Sequence, residues 1–532
     1  MHRLCFWIVL LAFFSSCVPA FGGSHSGIPV TRWVSPGNEH PLSFREWLSQ
    51  RPKPVPWSIR PTAKGTGKAP KLDIIVQDSL ADSLSCDLLT YRVDLANQGF
   101  SVSQYSATGT EPESLRAFLQ QEYAGGLVGV VLVGDLPVAW YQMIDDFNGN
   151  GGNDGYEEFP IELFFMDLNG TWTDSLQRYG TQDSLVPGSD GIYDTRSGDL
   201  GPEIFLGRLI VNPTSLSIPR LRNYFQKDHA YRAGTLPVPD SALVYVDDDW
   251  EPWAGEWSGN VGLTYPVRTT VSDPETTRAT DYVTRFPIGY QWISVFAHSW
   301  PGGHAFKYNN GNSWEYLYAS QINGLDPQAL FYNLFACSNA RFVENGYMGG
   351  EYLYAPTWGL GAVGTCKTGS MLDFDQFYGP MASQATIGEA FRDWFAYEAS
   401  QGFPPDARSW FYGMALLGDP ALKPHTMVNG VAMEESPGEP RPFAGIRVSP
   451  NPFLSGARIH YQLAQEGRVR ASVYDPLGRR IRTLLDAPQT SGPQELIWDG
   501  RDDRGREVRP GTYFLRVSGA GVNRTSRLVH LR

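Results

Sequence analysis

The sequence predicts an α/β protein built around a largely parallel sheet, followed by a small all-β domain. Between about residue 70 and residue 425, short apolar strand patterns alternate with helical patterns, beginning with the strand pattern at 72–76. Such alternation is typical of parallel sheets covered by helices. After residue 445 the pattern changes to short alternating strands separated by turns, which indicates a β-sandwich. The content of apolar residues (42%) and charged residues (19%) is typical of a globular chain.

The N-terminus predicts an export signal. A basic start is followed by an apolar run at residues 4–14, and small residues at 18–20 allow cleavage after Ala20. The apolar run is too short to cross a membrane comfortably, and no later run is long enough, so we expect no transmembrane span. An alternative is a lipoprotein signal that leaves Cys17 as a lipidated N-terminus. Both interpretations predict a bacterial protein that is secreted or held at the cell surface.

Charge divides the chain into modules. The whole chain has a net charge of −13, which argues against nucleic-acid binding. From residue 441 onwards, however, the sequence contains 16 Arg, no Lys and 8 acidic residues, so this part is basic. We predict a signal peptide at 1–20, a leader or linker at 21–68, an N-terminal α/β subdomain at 69–235, a catalytic α/β subdomain at 236–426, a linker at 427–444 and the sandwich at 445–532.

Two of the apolar strand patterns end in reactive residues. Residues 293–297 lead into His298, and residues 330–336 lead into Cys337. Because ligands bind beyond the carboxyl ends of parallel strands, both side chains should meet at one sheet edge if the strands are neighbours. The separation of 39 positions between them suits one crossover, with a helix expected at 314–322. Cysteine beside histidine is an arrangement for nucleophilic catalysis, although a buried, inert cysteine is the alternative.

The acidic loop after residue 140 predicts a calcium site. Asp146, Asn148, Asn150, Gly151 and Glu157 match positions 1, 3, 5, 6 and 12 of a calcium-binding loop. The flanking helices of an EF-hand are not predicted, because a strand pattern follows the loop, so a solvated acidic loop is the alternative. A weaker cluster of the same kind comprises Asp167, Asn169 and Asp174.

Several longer motifs occur in order along the α/β region. They are residues 131–135, 160–170, 202–208, 336–342, 361–364 and 417–421. On these motifs, residues from about 70 to 425 resemble the gingipain-type cysteine peptidases. The resemblance implies a caspase-like fold, a catalytic dyad of Cys337 and His298, and bound Ca²⁺. It also implies an oxyanion hole formed by the backbone amides of Ser299 and Cys337, although the family usually has Gly where this chain has Ser299.

Two further site predictions concern neighbouring residues. His304 is a second candidate for the catalytic histidine, but it lies six residues further on, in a Gly-rich loop. Three consecutive aspartates at 247–249 follow the strand pattern at 243–246, at the expected sheet edge. A carboxylate there would pair with Arg or Lys of a substrate, and the resemblance to arginine-specific gingipains implies such a residue. We predict Asp248 or Asp249, with a second metal site or a plain loop as the alternative.

The C-terminal segment has motifs of its own. They are residues 449–453, 473–475, 498–500 and 511–514. On them, residues 445–532 resemble the Ig-like domain of flagellar hook-capping proteins and the sorting domains of type IX secretion. The resemblance implies that the export machinery is a partner; an adhesive spacer is the alternative. We therefore predict an exported cysteine endopeptidase that acts on proteins or peptides, the alternative being an adhesin or structural protein on an inactive peptidase fold.

Overall fold

The computed structural model describes residues 25–177, 186–424 and 446–530, apart from residues 26, 38, 52, 54, 66, 68, 237, 310, 450–452, 454–455, 464, 476–478, 510 and 520–521. The chain divides into two compact units, Met1–Gly430 and Val431–Arg532. The predicted signal peptide and the predicted linker at 427–444 lie outside the described residues. Among the described residues, no helix has the length and apolar content needed to cross a membrane.

The first half of the large unit alternates strands and helices, as predicted. Its elements are α1 (Phe44–Ser49), β1 (Ser58–Ala63), β2 (Lys71–Gln77), α2 (Asp78–Ala81), α3 (Ser85–Asn97), β3 (Ser101–Thr108), α4 (Pro112–Ala124), β4 (Leu127–Val133), β5 (Trp140–Asp145), β6 (Gly155–Pro160), α5 (Leu163–Met166), β7 (Thr171–Thr173), β8 (Leu176–Gln177), β9 (Val186–Pro187), β10 (Thr195–Ser197), β11 (Phe205–Leu209) and α6 (Ser217–Arg232).

The second half continues this pattern up to the end of the large unit. Its elements are β12 (Ala242–Val246), α7 (Ala254–Thr264), β13 (Arg268–Val271), α8 (Ala279–Thr284), β14 (Tyr290–Phe296), β15 (His298–Trp300), β16 (Gly303–Tyr308), β17 (Ser313–Tyr318), α9 (Ala319–Leu325), β18 (Ala329–Phe335), α10 (Met348–Leu353), β19 (Gly361–Thr365), α11 (Phe374–Ala382), α12 (Ile387–Ser400), α13 (Pro405–Phe411) and β20 (Met414–Gly418).

One eleven-stranded sheet forms the centre of the large unit, in the order β1-β3-β2-β4-β11-β20-β19-β18-β14-β12-β13. Neighbouring strands are parallel except for the pairs β1–β3 and β19–β20. This confirms the predicted parallel α/β architecture. Strands β12, β14 and β18 are buried along their whole length, which explains their continuous apolar sequences. Because β20 lies between β11 and β19, the sheet is continuous across the predicted boundary at residue 235.

The predicted leader is ordered against the large unit, so the expectation of an extended linker is corrected. Helix α1 begins with a capping box in which Ser43 and Glu46 bind each other's backbone amides. Phe44 and Trp47 of this helix pack against Trp140 of β5. Strand β1 then adds to the sheet edge, antiparallel to β3. Burial of aromatic surface therefore fastens this segment to the unit that follows it.

The small unit consists of two antiparallel sheets. Its strands are β21 (Ile446–Ser449), β22 (Ala457–Leu463), β23 (Gly467–Tyr474), β24 (Arg480–Gln489), β25 (Gly492–Trp498), β26 (Gly511–Gly519) and β27 (Val522–His530). The sheets have the orders β21-β22-β25 and β24-β23-β26-β27. One hydrophobic cluster contains residues from both sheets, among them Ile459, Val469, Trp498 and Leu515. This agrees with the predicted sandwich; its Ig-like relationship stays a prediction.

Candidate active site

The structure brings His298 and Cys337 to the same edge of the sheet. Strands β14 and β18 are parallel neighbours, and their last residues, Phe296 and Phe335, are paired in register. His298 and Cys337 each lie two residues beyond these strands, and both are fully buried. The adjacency predicted from the strand patterns is confirmed. The crossover differs from expectation: the region 314–322 is strand β17 followed by helix α9, because its Trp and Tyr residues pair well in a sheet.

The Cys337 thiol is held by the backbone and side chain of Ser299. Its Sγ donates to the Ser299 carbonyl at 3.3 Å, and Ser299 Oγ lies 3.6 Å from Sγ while donating to the Cys337 carbonyl at 2.7 Å. Burial raises the pKa of Cys337 to about 12, and hydrogen bonds from Ser299 oppose this only in part. The next residue, Ser338, has a φ of 59°, a strained left-handed conformation of the kind found at functional sites. In this state the thiol is protonated at neutral pH.

Both ring nitrogens of His298 have partners. Nε2 lies 2.6 Å from Asp249 Oδ2, and Nδ1 accepts a hydrogen bond from the backbone amide of Arg32 at 2.9 Å. Because Nδ1 accepts, the proton of the neutral ring is on Nε2 and is donated to Asp249. Burial lowers the pKa of His298 in spite of this carboxylate, which favours the neutral ring. Burial would raise the pKa of Asp249, but hydrogen bonds from His298 and Lys307 bring it to about 2.

Asp249 therefore does not stand free for a substrate cation, and its predicted role is corrected. Its carboxylate is already shared between His298 and the Lys307 ammonium, at 2.6 and 2.5 Å. Asp247 accepts from the Lys307 amide at 2.9 Å. Asp247 and Asp248 each have an Oδ1 that is buried without a hydrogen-bond partner, but Asp247 is fully buried whereas Asp248 is partly exposed. Sequence reasoning named no carboxylate for the histidine; the available signal was an aspartate run after β12, the strand next to β14.

A cysteine beside a histidine at this sheet edge agrees with the family that comparison with known proteins identifies. A model described as "Peptidase family C25" matches residues 68–425. The chain belongs to peptidase family C25. It is a cysteine-type peptidase, and the match covers the whole sheet from β2 onwards, including both Cys337 and His298. Comparison with curated proteins gives no match.

Three solved structures illustrate what this C25 peptidase is similar to. The Arg-specific cysteine proteinase gingipain R shows 14% identity and a TM-score of 0.47 over 88% of this chain and 100% of its own. The complex of pro- and mature domains of RgpB from Porphyromonas gingivalis shows 14% identity and a TM-score of 0.46, covering 87% and 100% of the two chains. PorZ, a surface component of the type-IX secretion system of Porphyromonas gingivalis, shows 23% identity and a TM-score of 0.13, covering 16% and 12%.

In this C25 peptidase, the leader runs across the candidate active site. Val34 donates its amide to the Ser299 carbonyl at 3.0 Å, and the Ser299 amide donates to the Arg32 carbonyl at 3.3 Å. Thr31 is fully buried; its Oγ1 donates to the Gly369 carbonyl at 3.1 Å, and its side chain also contacts the Cys337 thiol. The leader therefore forms a single parallel bridge with β15, between Trp33 and Ser299, and Thr31 lies against the Cys337 thiol.

Ser299 stands where the family usually has glycine, and its backbone conformation shows whether a side chain is tolerated there. Ser299 lies in strand β15, in an extended conformation that every residue type adopts, so its side chain causes no backbone strain. Its amide already binds a peptide carbonyl, that of Arg32. This is the contact expected of an oxyanion-hole donor. The oxyanion-hole roles of the Ser299 and Cys337 amides both stay predictions.

His304 occupies a different environment from His298. It lies on β16, is fully buried, and its Nε2 is 3.2 Å from the Tyr352 hydroxyl. Burial lowers the pKa of His304 to about 3, and its ring packs near Tyr282 and Phe306. The aromatic surroundings indicate a core role, and His298 remains the candidate base.

The predicted calcium ligands already have hydrogen-bond or ion-pair partners within the chain. The Asp146 carboxylate accepts from the amides of Asn150 and Gly151, at 3.1 and 2.8 Å. Glu157 lies on β6, and its carboxylate is 3.0 Å from the Lys367 ammonium. The buried Lys367 also pairs with Asp145 at 2.9 Å, and a cation this close would repel a metal ion.

The remaining oxygen atoms of that loop are also engaged by the chain itself. Asn148 and Asn150 each bind a backbone amide two residues further on. In the second cluster, Asp167 pairs with Arg196 at 2.7 Å, and Asp174 binds the amide of Gly191. In the part of the chain that the structure describes, no group of three His, Cys, Asp or Glu side chains has the geometry to hold a metal ion. Calcium binding by Asp146, Asn148, Asn150 and Glu157 stays a prediction.

Proposed function

We propose that this chain is an exported cysteine endopeptidase that its own leader holds in a latent form, with Cys337 as nucleophile and His298 as general acid–base. The observation that carries the proposal is the peptide already bound at the site. Residues 31–34 form a parallel bridge with Ser299 through two main-chain hydrogen bonds, and the Arg32 amide donates to His298. Main-chain pairing of this kind binds extended peptides without regard to their side chains.

The chemistry follows from these groups. Once the leader has left, His298 Nδ1 is free to take the thiol proton, and Cys337 Sγ forms a bond to the carbonyl carbon of the substrate. The Ser299 amide holds the oxygen as it gains negative charge. The C–N bond then breaks as His298 protonates the leaving amine, and a water molecule releases the acyl group with the same histidine as base. Asp249 keeps the Nε2–H proton in place throughout.

Latency follows from the same contacts. In the covered state the amide of Arg32 occupies the histidine nitrogen that would accept the thiol proton. Burial also favours the neutral form of both groups, because it raises the pKa of Cys337 and lowers that of His298. A substrate cannot pair with Ser299 until residues 31–34 have moved. Displacement or cleavage of the leader is therefore the activating step.

We further propose that Asp248 receives a basic side chain of the substrate. It lies at the same sheet edge, directly after Asp247, which follows β12; Asp247 is fully buried, and Asp249 is paired with His298. Burial, followed by the charge of Asp249, raises the pKa of Asp248. A cation placed beside it would lower that pKa and take up the charge. Partial exposure favours Asp248 over the fully buried Asp247, and the ion pairs of Asp249 with His298 and Lys307 favour Asp248 over Asp249.

We propose that the small unit directs export of the protein and takes no part in catalysis. Residues 441–532 carry 16 Arg and 8 acidic residues, whereas the chain as a whole is acidic. The two units have separate hydrophobic clusters. A separate core and an opposite charge support a separate role, and the resemblance to sorting domains favours delivery to the secretion machinery over catalysis.

Peptide hydrolysis by the leader-free chain tests the main proposal. Cys337→Ala should abolish turnover, while His298→Ala should slow it by about 10²–10⁴-fold. Cys86→Ser is the matched control, because Cys86 is exposed and should leave turnover intact. Turnover that survives Cys337→Ala would refute the assignment, and a leader-free wild type without turnover would support an inactive adhesin. A peptide library read by mass spectrometry gives the specificity; equal cleavage after Arg and after apolar residues would remove the role of Asp248.

A further inference from the structure

Three carboxyl groups that the proposed mechanism does not use converge near the start of the leader. Asp373 immediately precedes α11, Glu398 is in the last turn of α12, and Asp406 is in the first turn of α13. Together with Tyr397 and His25, they line a cavity of about 290 Å³. Carboxyl groups this close repel one another when ionised, so a cation or a proton is needed among them.

His25 of the leader supplies the cation. Its Nε2 lies 3.0 Å from Asp373 Oδ2, and its Nδ1 lies 3.3 Å from Asp406 Oδ2. Ionised carboxylates only accept hydrogen bonds, and a neutral imidazole has a single N–H to donate. Two carboxylate partners on opposite ring nitrogens therefore indicate the doubly protonated imidazolium. The ring also packs edge-on against Phe411, with centroids 5.2 Å apart, so the side chain is positioned on three sides.

Glu398 carries the proton that reduces the repulsion among the three carboxyl groups. The residue is 2% exposed, and its Oε1 is buried without a hydrogen-bond partner. Burial, followed by the charge of Asp373, raises the pKa of Glu398 to about 9. Glu398 is therefore protonated at neutral pH and shares a hydrogen bond with Asp373. The cluster thus presents two negative charges to the one imidazolium and remains attractive to a cation.

We propose that Asp373, Glu398 and Asp406 form a binding site for a cationic side chain, filled in the latent chain by the imidazolium of His25, which fastens the upstream end of the leader. The inference rests on the proposed latency and names the contact that maintains it. His25 lies six residues before Thr31, the leader residue that contacts the Cys337 thiol. An anchor at this distance limits how far residues 31–34 can move from the sheet edge.

The anchor should weaken as the pH rises. Burial by itself would lower the pKa of His25, but hydrogen bonds and charge attraction from Asp373, and then from Asp406, outweigh it and hold the pKa above 6.5. A pKa raised on binding means that the attraction is complete below about pH 6.5 and is lost as the pH rises through the bound value. Besides the three carboxyl groups, Tyr397 is the titratable side chain that lines the cavity.

Hydrogen exchange in the full chain carrying Cys337→Ala tests this anchor without any need for catalysis. The readout is the protection of the peptides that contain Val34 and Ser299, whose amides hold the leader. At about pH 6, His25→Ala should reduce this protection by about tenfold or more, since a hydrogen bond between charged groups contributes at least that factor. His25→Lys keeps a cation and should preserve more of the protection than His25→Ala.

Two matched variants test the carboxyl groups that contact His25. Asp373→Asn should reduce protection, and Asn tolerates the φ of 50° at this position. Glu398→Gln should have little effect at about pH 6, because Glu398 is already neutral. Unchanged protection in His25→Ala, or equal losses in Asp373→Asn and Glu398→Gln, would overturn the proposal. Exchange within β18 checks that the fold is intact. A lack of peptidase activity in the leader-free wild type would leave this readout unaffected, so the two proposals can fail separately.

Discussion

Removal of the leader should activate the Cys337 thiol, and the size of the effect can be worked out from the structure. The experiment compares a truncated chain that begins at Ser35 with a longer chain that begins at Phe21. This truncation removes Thr31, which contacts the thiol, and Arg32, whose amide occupies His298. Helix α1 and its packing against Trp140 are retained. The sheet and its core should therefore remain folded.

The expected magnitude comes from the ionisation of the thiol. In the covered state burial raises the pKa of Cys337 from 9.0 to about 12. The thiolate is the reactive form, so at about pH 7.5 a return to the ordinary pKa would increase the alkylation rate by up to roughly 10³-fold. Direct access of solvent and reagent increases the rate further. A pairing with protonated His298 would lower the pKa below 9 and would add to the effect.

Iodoacetamide labelling followed by peptide mass spectrometry measures this rate at each cysteine. Cys366 is the internal control, because burial raises its pKa to about 12 as well, while its Sγ donates to the Ala340 carbonyl at 3.1 Å rather than to a leader residue. Its rate should stay the same in both chains. An unchanged rate at Cys337 after truncation would refute the argument that the leader holds the site latent. A parallel increase at Cys366 would indicate unfolding.

Two further predictions concern the histidine partner and the small unit. In the leader-free enzyme, Asp249→Asn should lower kcat by about 10²–10⁴-fold with little change in KM, because the amide cannot stabilise the Nε2–H form of His298; an unchanged kcat would contradict this. The pKa of Asp249, about 2, means that this carboxylate stays ionised and causes no loss of activity until the pH falls towards that value. Deletion of residues 445–532 should leave hydrolysis intact and misplace the protein in its host, because the two hydrophobic clusters are separate. Lost hydrolysis with normal export would contradict the assignment.

The sequence alone determined the architecture of the large unit and the position of its reactive pair. Strands buried on both faces need continuous apolar residues, and β12, β14 and β18 therefore appear in the sequence as such runs. Residues that directly follow parallel strands lie at one sheet edge, whatever the details of packing. For this reason the sequence alone places His298 and Cys337 at the same sheet edge. The motifs at 336–342 and 417–421 likewise indicate the family.

The tertiary structure alone decided which partners the polar side chains have. Asp249 meets a histidine 49 residues away, Glu157 meets Thr368 across 211 residues, and the Arg32 amide meets the same histidine across 266 residues. No local sequence pattern reveals such partners, because an Asp or Glu residue looks the same in the sequence whether it binds a metal, a lysine or an imidazole. The choice depends on which charge packing brings within about 4 Å, and that is fixed only when the chain has folded.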